Sequence, residues 1–525
     1  MTIPKPPSRA VRRASAHPNP AAQAAGLTEE IMAHGSAQAT AAAAAAITRG
    51  QLTAAELEAW RLDYEARLAA IQQHPEQNLG HIEEALAAAT QEPLRLLAER
   101  AAQAKANATA CQCHQCQREL TDQRCLPRGI DSRFGRLRLW RCYGRCPKCE
   151  TWQFPADYAL GLGKKASASP YVQEIAALLV TKMPPEQAVT VAQRLGLDLA
   201  RCTLDREARR QGLKAQARRA ESLAQGDTWA GCQQLARDTE GPPTQPFTLV
   251  IEIDAWNIRE RDDWGQTKAL RARGEKPERW HWVYMGTVFR LDHRGRTAGA
   301  RAVISERGFV ATRLGLEALT AQLYREALHR GLAQAQQVLV IADGAVWIWN
   351  LARDRFPGAR QQLDLWHADE HLWAVAQQLY GKGTPEAAAW VAPLLEQVRG
   401  DQTTTVIATL AELKPRLLAA QQKKLQTEIE YLEHNADRMK YKDILDARAA
   451  VELGTATDAQ CDLANQPLGS GAIESTCRQY QCRFKRTGQF WTTAGDEALL
   501  CLETLWRNGR WHELYPHAKS SAALN

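Results

Sequence analysis

Apolar and polar positions change their period along the chain, and each change predicts a different element. From about 27 to 108 the Ala, Leu, Glu and Arg-rich composition predicts helix, as a pair of long helices. In GRLRLWRCYG, Arg136 and Arg138 alternate with Leu137 and Leu139, the period of a half-buried hairpin strand. Residues 163 to about 225 predict three helices. Ser169 and Pro170 start the first, with Tyr171, Ile175, Leu178 and Leu179 as its apolar stripe. Pro184 and Pro185 open the second, which stops at Gly196, and the basic run LDREARRQGLKAQARR forms the third. From about 246 strands and helices alternate. FTLVIEID and QVLVIAD are strands, HWVYMGTVFRLDHRGRTAGARAVISE a pair of strands, and ATRLGLEALTAQLYREALHRG a helix. That order predicts an α/β sheet with helices on its faces.

At 525 residues the chain exceeds one core and should divide into roughly three to five units. The net charge of +7 is mild but concentrated. Arg118 to Lys148 holds nine basic and three acidic residues, and Arg201 to Ala220 seven and two. Such clusters are either a solvated face or the footprint of a polyanion such as DNA. Residues 1–26, rich in Pro, Ala and Arg, predict a disordered basic arm. No stretch approaches the ~20 apolar residues that span a bilayer, and no secretory signal is visible. A cytoplasmic, nucleoid-associated protein without a membrane partner is expected.

Seven of the thirteen cysteines crowd between Cys111 and Cys149, which in a reducing compartment argues for metal rather than disulfides. Cys113 and Cys116 form one C-x-x-C pair, and Cys146 and Cys149 another. Two such knuckles joined by a hairpin predict a structural Zn²⁺ ribbon, since tetrahedral zinc takes four soft ligands. Cys111, His114, Cys125 and Cys142 lie near enough in sequence to substitute.

Asp254 closes one apolar strand and Asp343 another, the ends at which open α/β sheets hold ligands. A carboxylate ending a buried strand is costly unless a cation meets it, although such an Asp also serves as an N-cap or turn residue. Glu474 lies in GSGAIESTCRQYQCRFKR. If this run is a helix, Ile473, Cys477, Tyr480 and Phe484 face the sheet. Glu474, Arg478, Gln481 and Lys485 then follow about 100° round the axis, an acid with cations tracking away from it. Glu252 shares the pleat face of Asp254, as an accessory ligand or a structural residue.

The paired knuckles followed by PADYALGLG, then IEIDAW, IADGAVWIWNL, DLWHADEHLW, GSGAIEST and RFKRTGQFWTTAGDEALLCLETLWRNGRW, resemble bacterial insertion-sequence transposases of the DDE type. The likeness is greatest to the ISKra group, more distant to Mutator-like elements, and covers roughly Cys113 to Trp511. It implies a multidomain protein whose RNase H-like α/β core uses Asp254, Asp343 and Glu474 as its metal triad. Asp364 and His367 of DLWH should lie close by at a helix start. The residues themselves set the expected order before the core, a helical region over 27–108 that carries no family motif, a zinc ribbon over 109–162 and a helix-turn-helix-like module over 163–245. The core follows over 246–384, a helical insertion over 385–465, the final core helices over 466–512, and a tail over 513–525.

The expected chemistry is strand cleavage and strand transfer by a two-metal mechanism with Mg²⁺, for which Mn²⁺ could substitute. His367 would orient the scissile phosphate or pack structurally. Arg478, Arg483, Lys485 and Arg486 would contact phosphates, while the third helix, with Arg206, Arg209 and Arg210, would read terminal inverted repeats. Trp347, Trp349, Trp366 and Trp373 are read chiefly as packing. Terminal-repeat and target DNA are the expected partners, bound by at least a homodimer. The alternatives are a non-catalytic DNA-binding protein and a nuclease without strand joining.

Overall fold

The computed structural model describes residues 54–73, 78–237, 245–263, 265–297 and 302–516. The expected basic arm and most of the tail lie outside them. The chain divides into two compact units, the first running to Ile175 with Val189–Thr203 added, the second comprising Ala176–Ala188 and everything from Leu204.

In the first unit α1 (Ala54–Gln72) and α2 (Leu79–Ala108) precede an antiparallel sheet of β1 (Thr121–Ser132), β2 (Gly135–Arg145) and β3 (Trp152–Gln153), followed by the short α3 (Pro155–Ala159). Leu137 and Leu139 are buried while Arg136 and Arg138 are exposed, the alternation the sequence carries. Because β3 pairs with β2 only at Gly144 and Arg145, the rest of that edge needs other partners. Helix α2 supplies them. The Gln103 amide accepts from the Trp140 N–H (2.8 Å) and donates to the Trp140 carbonyl (2.9 Å), and Glu99 accepts from the Arg138 N–H (2.7 Å).

Four helices follow: α4 (Pro170–Lys182), α5 (Pro185–Arg194), α6 (Arg201–Gly226) and α7 (Trp229–Arg237). Gly196, at φ +76°, ends α5 in the left-handed conformation that favours glycine. The division between the units runs through this segment. From Leu204 onward α6 belongs to the second unit, where Gly212 meets α18 (Thr493–Arg507). A Cβ at Gly212 would lie 2.7 Å from that of Ala498.

The second unit is built on a five-stranded sheet whose elements run β4 (Thr248–Glu260), α8 (Thr267–Ala272), β5 (Arg279–Arg290), the β6 (Arg294–Arg296) and β7 (Ala302–Ile304) hairpin, β8 (Gly308–Thr312), α9 (Leu316–His329), β9 (Gln337–Ala342), α10 (Val346–Arg355), β10 (Arg360–Leu363) and α11 (Leu365–Tyr380). The spatial order is β10-β9-β4-β5-β8. Strands β4, β9 and β10 are mutually parallel, and β5 is antiparallel to both β4 and β8. Two of these strands differ from the sequence reading. Ala311, expected to begin a helix, lies in β8, and the helix starts only after Gly315 at φ +98°. RQQL forms the edge strand β10 through parallel pairing with β9, without an apolar alternation to announce it.

Along β4 the two faces separate cleanly. Leu249, Ile251 and Ile253 enter a core shared with α9, α10 and α11. The same core takes in the helices of the 385–465 interval, namely α12 (Pro385–Arg399), α13 (Thr403–Leu413), α14 (Ala419–Asn435), α15 (Lys442–Glu452) and α16 (Asp458–Ala464). Val391, Leu410, Leu425 and Leu432 are buried with the strand residues, so these helices and the sheet share one core. The other face of β4 receives α17 (Gly471–Phe484). Ile473, Cys477, Tyr480 and Phe484 are all buried, as their spacing requires. No helix among the described residues is long and apolar enough to cross a membrane.

Arg483, expected at a phosphate, is instead buried at the end of α4. It donates to the carbonyls of Val180 (2.7 Å) and Thr181 (3.1 Å), groups left without partners where the helix stops, and its guanidinium lies 5.1 Å from the centre of the Trp491 ring. The next basic positions, Lys485 and Arg486, are exposed. In urea unfolding, Arg483→Ala should therefore cost about 3 kcal/mol, and Arg486→Ala less than about 0.5 kcal/mol. Equal effects would remove the structural role.

Candidate functional site

The cysteine centre of the first unit is assembled by two matching turns. Gln117 (φ 60°) and Glu150 (φ 53°) each follow the second cysteine of a pair in the left-handed region. Their N–H groups donate back to the Cys113 and Cys146 carbonyls, both at 2.9 Å. The Cys113 and Cys146 N–H groups then close each loop onto Arg118 (2.8 Å) and Thr151 (2.9 Å). The four sulfurs of Cys113, Cys116, Cys146 and Cys149 lie within 4.8 Å of one another, with Cys113 to Cys149 at 3.9 Å and Cys116 to Cys146 at 3.5 Å. A tetrahedron with Zn–S of about 2.3 Å has S–S edges of about 3.8 Å, so this all-thiol set fits structural zinc and leaves no open ligand position.

The neighbouring candidates are committed elsewhere. His114 stacks on Tyr158 (centroids 3.9 Å apart), with Nδ1 2.8 Å from the Gln153 side-chain oxygen. The Gln153 amide in turn donates to the Cys113 sulfur (3.1 Å). Burial pushes the Cys125 thiol up, against the charge of Arg141. Cys111 and Cys142 are joined in a disulfide with Cα atoms 6.2 Å apart. The expectation of metal rather than disulfides therefore fails for these two residues, because the β1–β2 hairpin brings Cys142 back beside the first knuckle.

In the second unit, register does for carboxylates what the knuckles do for thiols. Glu252 on β4 is level with Ile341 on β9, and Leu363 on β10 is level with Ala342 on β9. Continuing both registers sets Asp254, Asp343 and Asp364 side by side, Asp343 and Asp364 just past the ends of β9 and β10, and Asp254 not at the end of its strand, as its apolar run suggested, but within β4, which runs on to Glu260. Glu474 comes from α17, whose N-terminus is fixed to those strands twice. Buried Asp364 accepts from the Ser470 N–H and hydroxyl, both at 2.6 Å, and buried Glu252 accepts from the Ile473 N–H (2.8 Å). One turn on, Cys477 lies against Met285, the cross-strand neighbour of Asp254, and hydrogen-bonds with Asp254 itself.

The charges interact accordingly. Burial raises the Asp254 pKa and the Asp343 charge adds to this, while the Ala255 N–H, Cys477 and His367 oppose it. Burial likewise raises Glu474, with Asp364 and Asp254 adding and Arg478 and His367 opposing. His367, in the first turn of α11, is partly exposed and electrostatically coupled to both acids. Asp343 spends one oxygen on the Ala345 N–H (3.0 Å).

Asp364 and Glu252 hold the frame. Asp364 accepts four hydrogen bonds, since the Trp366 (2.7 Å) and His367 (3.2 Å) N–H groups at the start of α11 join the two from Ser470. Burial pushes Glu252 up to about 8 against the N–H groups of Ile473 and Ala472. Of the basic candidates, Arg478 is exposed and 3.8 Å from Glu474, and Arg486 donates to the Cys482 carbonyl (2.9 Å). On α6, Arg209 pairs with Asp205 (3.1 Å), and Arg210 (3.0 Å) and Arg206 (3.8 Å) with Glu207. The tryptophans divide: Trp349 is buried and donates to Asn435 (2.9 Å), whereas Trp366 is exposed.

Sequence reasoning missed a clamp from the 385–465 helices. Tyr431 of α14 donates its hydroxyl to the Asp343 carbonyl (2.7 Å), and His371 stacks on its ring (3.5 Å). Gly344, at φ +98°, lies directly under that ring, where a Cβ would come within 2.7 Å of it. The only signal in the sequence is the glycine after Asp343.

Two measurements test these centres. Cys146→Ser should lose bound zinc and lower the melting temperature of the chain; undiminished zinc on elemental analysis would exclude this ligand. Tyr431→Phe should destabilise by about 1 kcal/mol and Tyr431→Ala by about 3 kcal/mol or more, whereas no loss in the Phe variant on urea unfolding would show that the hydroxyl contributes nothing. Compared with known proteins, the chain matches no family model and no curated sequence.

Proposed function

We propose that the chain is a DDE-type DNA transposase of an insertion sequence, its second unit built on an RNase H-like core. The observation that carries this reading is the alignment of Asp254 and Asp343 across β4 and β9, with Glu474 held to the same row through Ser470 and Ile473. The mixed sheet, an antiparallel β4-β5-β8 meander beside the parallel pair β9 and β10, supports it as well.

The charge of Asp343 acts on Asp254 and that of Asp254 on Glu474, and these three carboxylates, an all-oxygen donor set suited to hard cations, are the residues that would hold Mg²⁺. Bound there, divalent cations activate the attacking oxygen and stabilise the leaving one in phosphodiester displacement. The chain's own residues position the DNA. His367 is coupled to both Asp254 and Glu474 and orients the scissile phosphate. Arg478, Lys485 and Arg486 provide salt-dependent affinity without base specificity. Arg206, Arg209 and Arg210 of α6, the third helix of a helix-turn-helix-like segment, face the terminal repeat, although their acidic partners temper that helix's charge.

Asp254→Ala should retain binding to a duplex carrying the element's terminal repeat while abolishing its Mg²⁺-dependent nicking. Undiminished nicking by that variant refutes the triad. Nicking without joined products on wild-type protein would favour a nuclease lacking strand transfer, and binding without any nicking a DNA-binding protein.

A further inference from the structure

The β4–β5 hairpin continues past both of its neighbours. Strand β9 ends at Ala342, level with Ile253, and β8 pairs with β5 only from Tyr284 onward. Residues 255–260 and 279–283 therefore form a two-stranded ribbon projecting beyond the sheet edge that bears Asp254. Its inner face is covered, with Ile258 and Val283 fully buried. On the outer face Trp280 and Trp282 remain 53% and 52% exposed, two residues apart on one strand and thus on one side of the pleat.

Opposite Trp280 stands Arg259, its guanidinium 4.8 Å from the Trp280 ring and 5.3 Å from that of Phe490. No carboxylate lies in ion-pair range of Arg259, nor of exposed Lys268, Arg271 and Lys276 in the segment joining the strands, among the described residues. Trp491 holds the ribbon in place, donating its N–H to the Arg259 carbonyl (3.1 Å) and accepting from the Arg261 N–H (2.8 Å). The aromatic row does not end at the ribbon. Tyr284, next on the same side, packs edge-on against Trp347 (5.5 Å), four positions after Asp343.

We infer that this face is a stacking platform for single-stranded DNA, delivering an unpaired strand to the Asp343 end of the site. Exposed indole faces take bases of any sequence, and Arg259, seated over Trp280 without a carboxylate to neutralise it, takes a phosphate, a combination neither apolar protein surfaces nor duplex DNA would use. Trp282 pairs with Asn257 and Trp280 with Arg259, about 10 Å and 17 Å along the strand from Asp254. At about 3.4 Å per stacked nucleotide, the platform covers bases roughly three to five positions from the scissile phosphate. The inference rests on the DNA-processing function proposed above.

The test is anisotropy with the full chain in EDTA, using labelled oligodeoxythymidylate and a blunt duplex as separate probes. Trp280→Ala and Trp282→Ala should each weaken single-strand binding about 10-fold and leave duplex binding unchanged, with Phe at either position restoring most of the affinity. Single-strand binding should also quench tryptophan fluorescence less in the alanine variants. Unaltered single-strand affinity in the double alanine variant overturns the platform, as does equal loss on both probes or a sedimentation change showing that the face joins two copies of the chain. Single-strand binding lost in those variants, with wild-type protein that neither binds nor nicks duplex, would uphold the platform and remove the transposase reading.

Discussion

Parallel register is the constraint on which the second unit depends. Because β4, β9 and β10 run in the same direction and in step, Asp254 within β4 falls in a row with the residues just past the ends of β9 and β10, and each of the three is an aspartate. Crowded, half-desolvated acids repel one another, and the fold offsets that cost differently at each position. Asp364 is neutralised by four donors, Asp343 by a turn and Asp254 by an N–H and a thiol. Only the first is saturated. The remaining oxygens, together with Glu474, are what make the edge a proposed cation site.

The same economy governs α17. Buried carboxyls at Asp364 and Glu252 grip its first turn, where backbone N–H groups lack partners within the helix. The helix is thereby set before its apolar stripe packs, and a one-residue slip would move Glu474 by about 100° round the axis. At the other end Arg483 does for α4 what those carboxyls do for α17, which is why a basic residue in a basic run proves to be buried.

Legibility in the sequence followed the strength of local pattern. The central strands, the 3.6-residue stripe of α17 and the paired cysteine knuckles are all written in short-range spacing and are found there, except that β4 runs six residues beyond the apolar run that announces it. Edge strands β8 and β10 were not legible, since their formation depends on a neighbouring strand rather than on their own residues. The Cys111–Cys142 bridge was hidden because hairpin closure, not spacing, brings its ends together. Tyr431 was hidden for a similar reason, as an aromatic in a polar helix carries no mark of the loop it will hold. The carboxylates were visible individually, but their alignment required the register.

The clamp on the Asp343 loop reaches across 88 residues, and the bond from Ile473 to Glu252 across 221. Contacts so remote along the polymer form late, after the entropy of closing the intervening loops has been overcome. A nascent chain on the ribosome would thus carry Asp254 and Asp343 long before the groups that arrange them exist. The row of acids is therefore assembled only after the chain as far as Ile473 has been made.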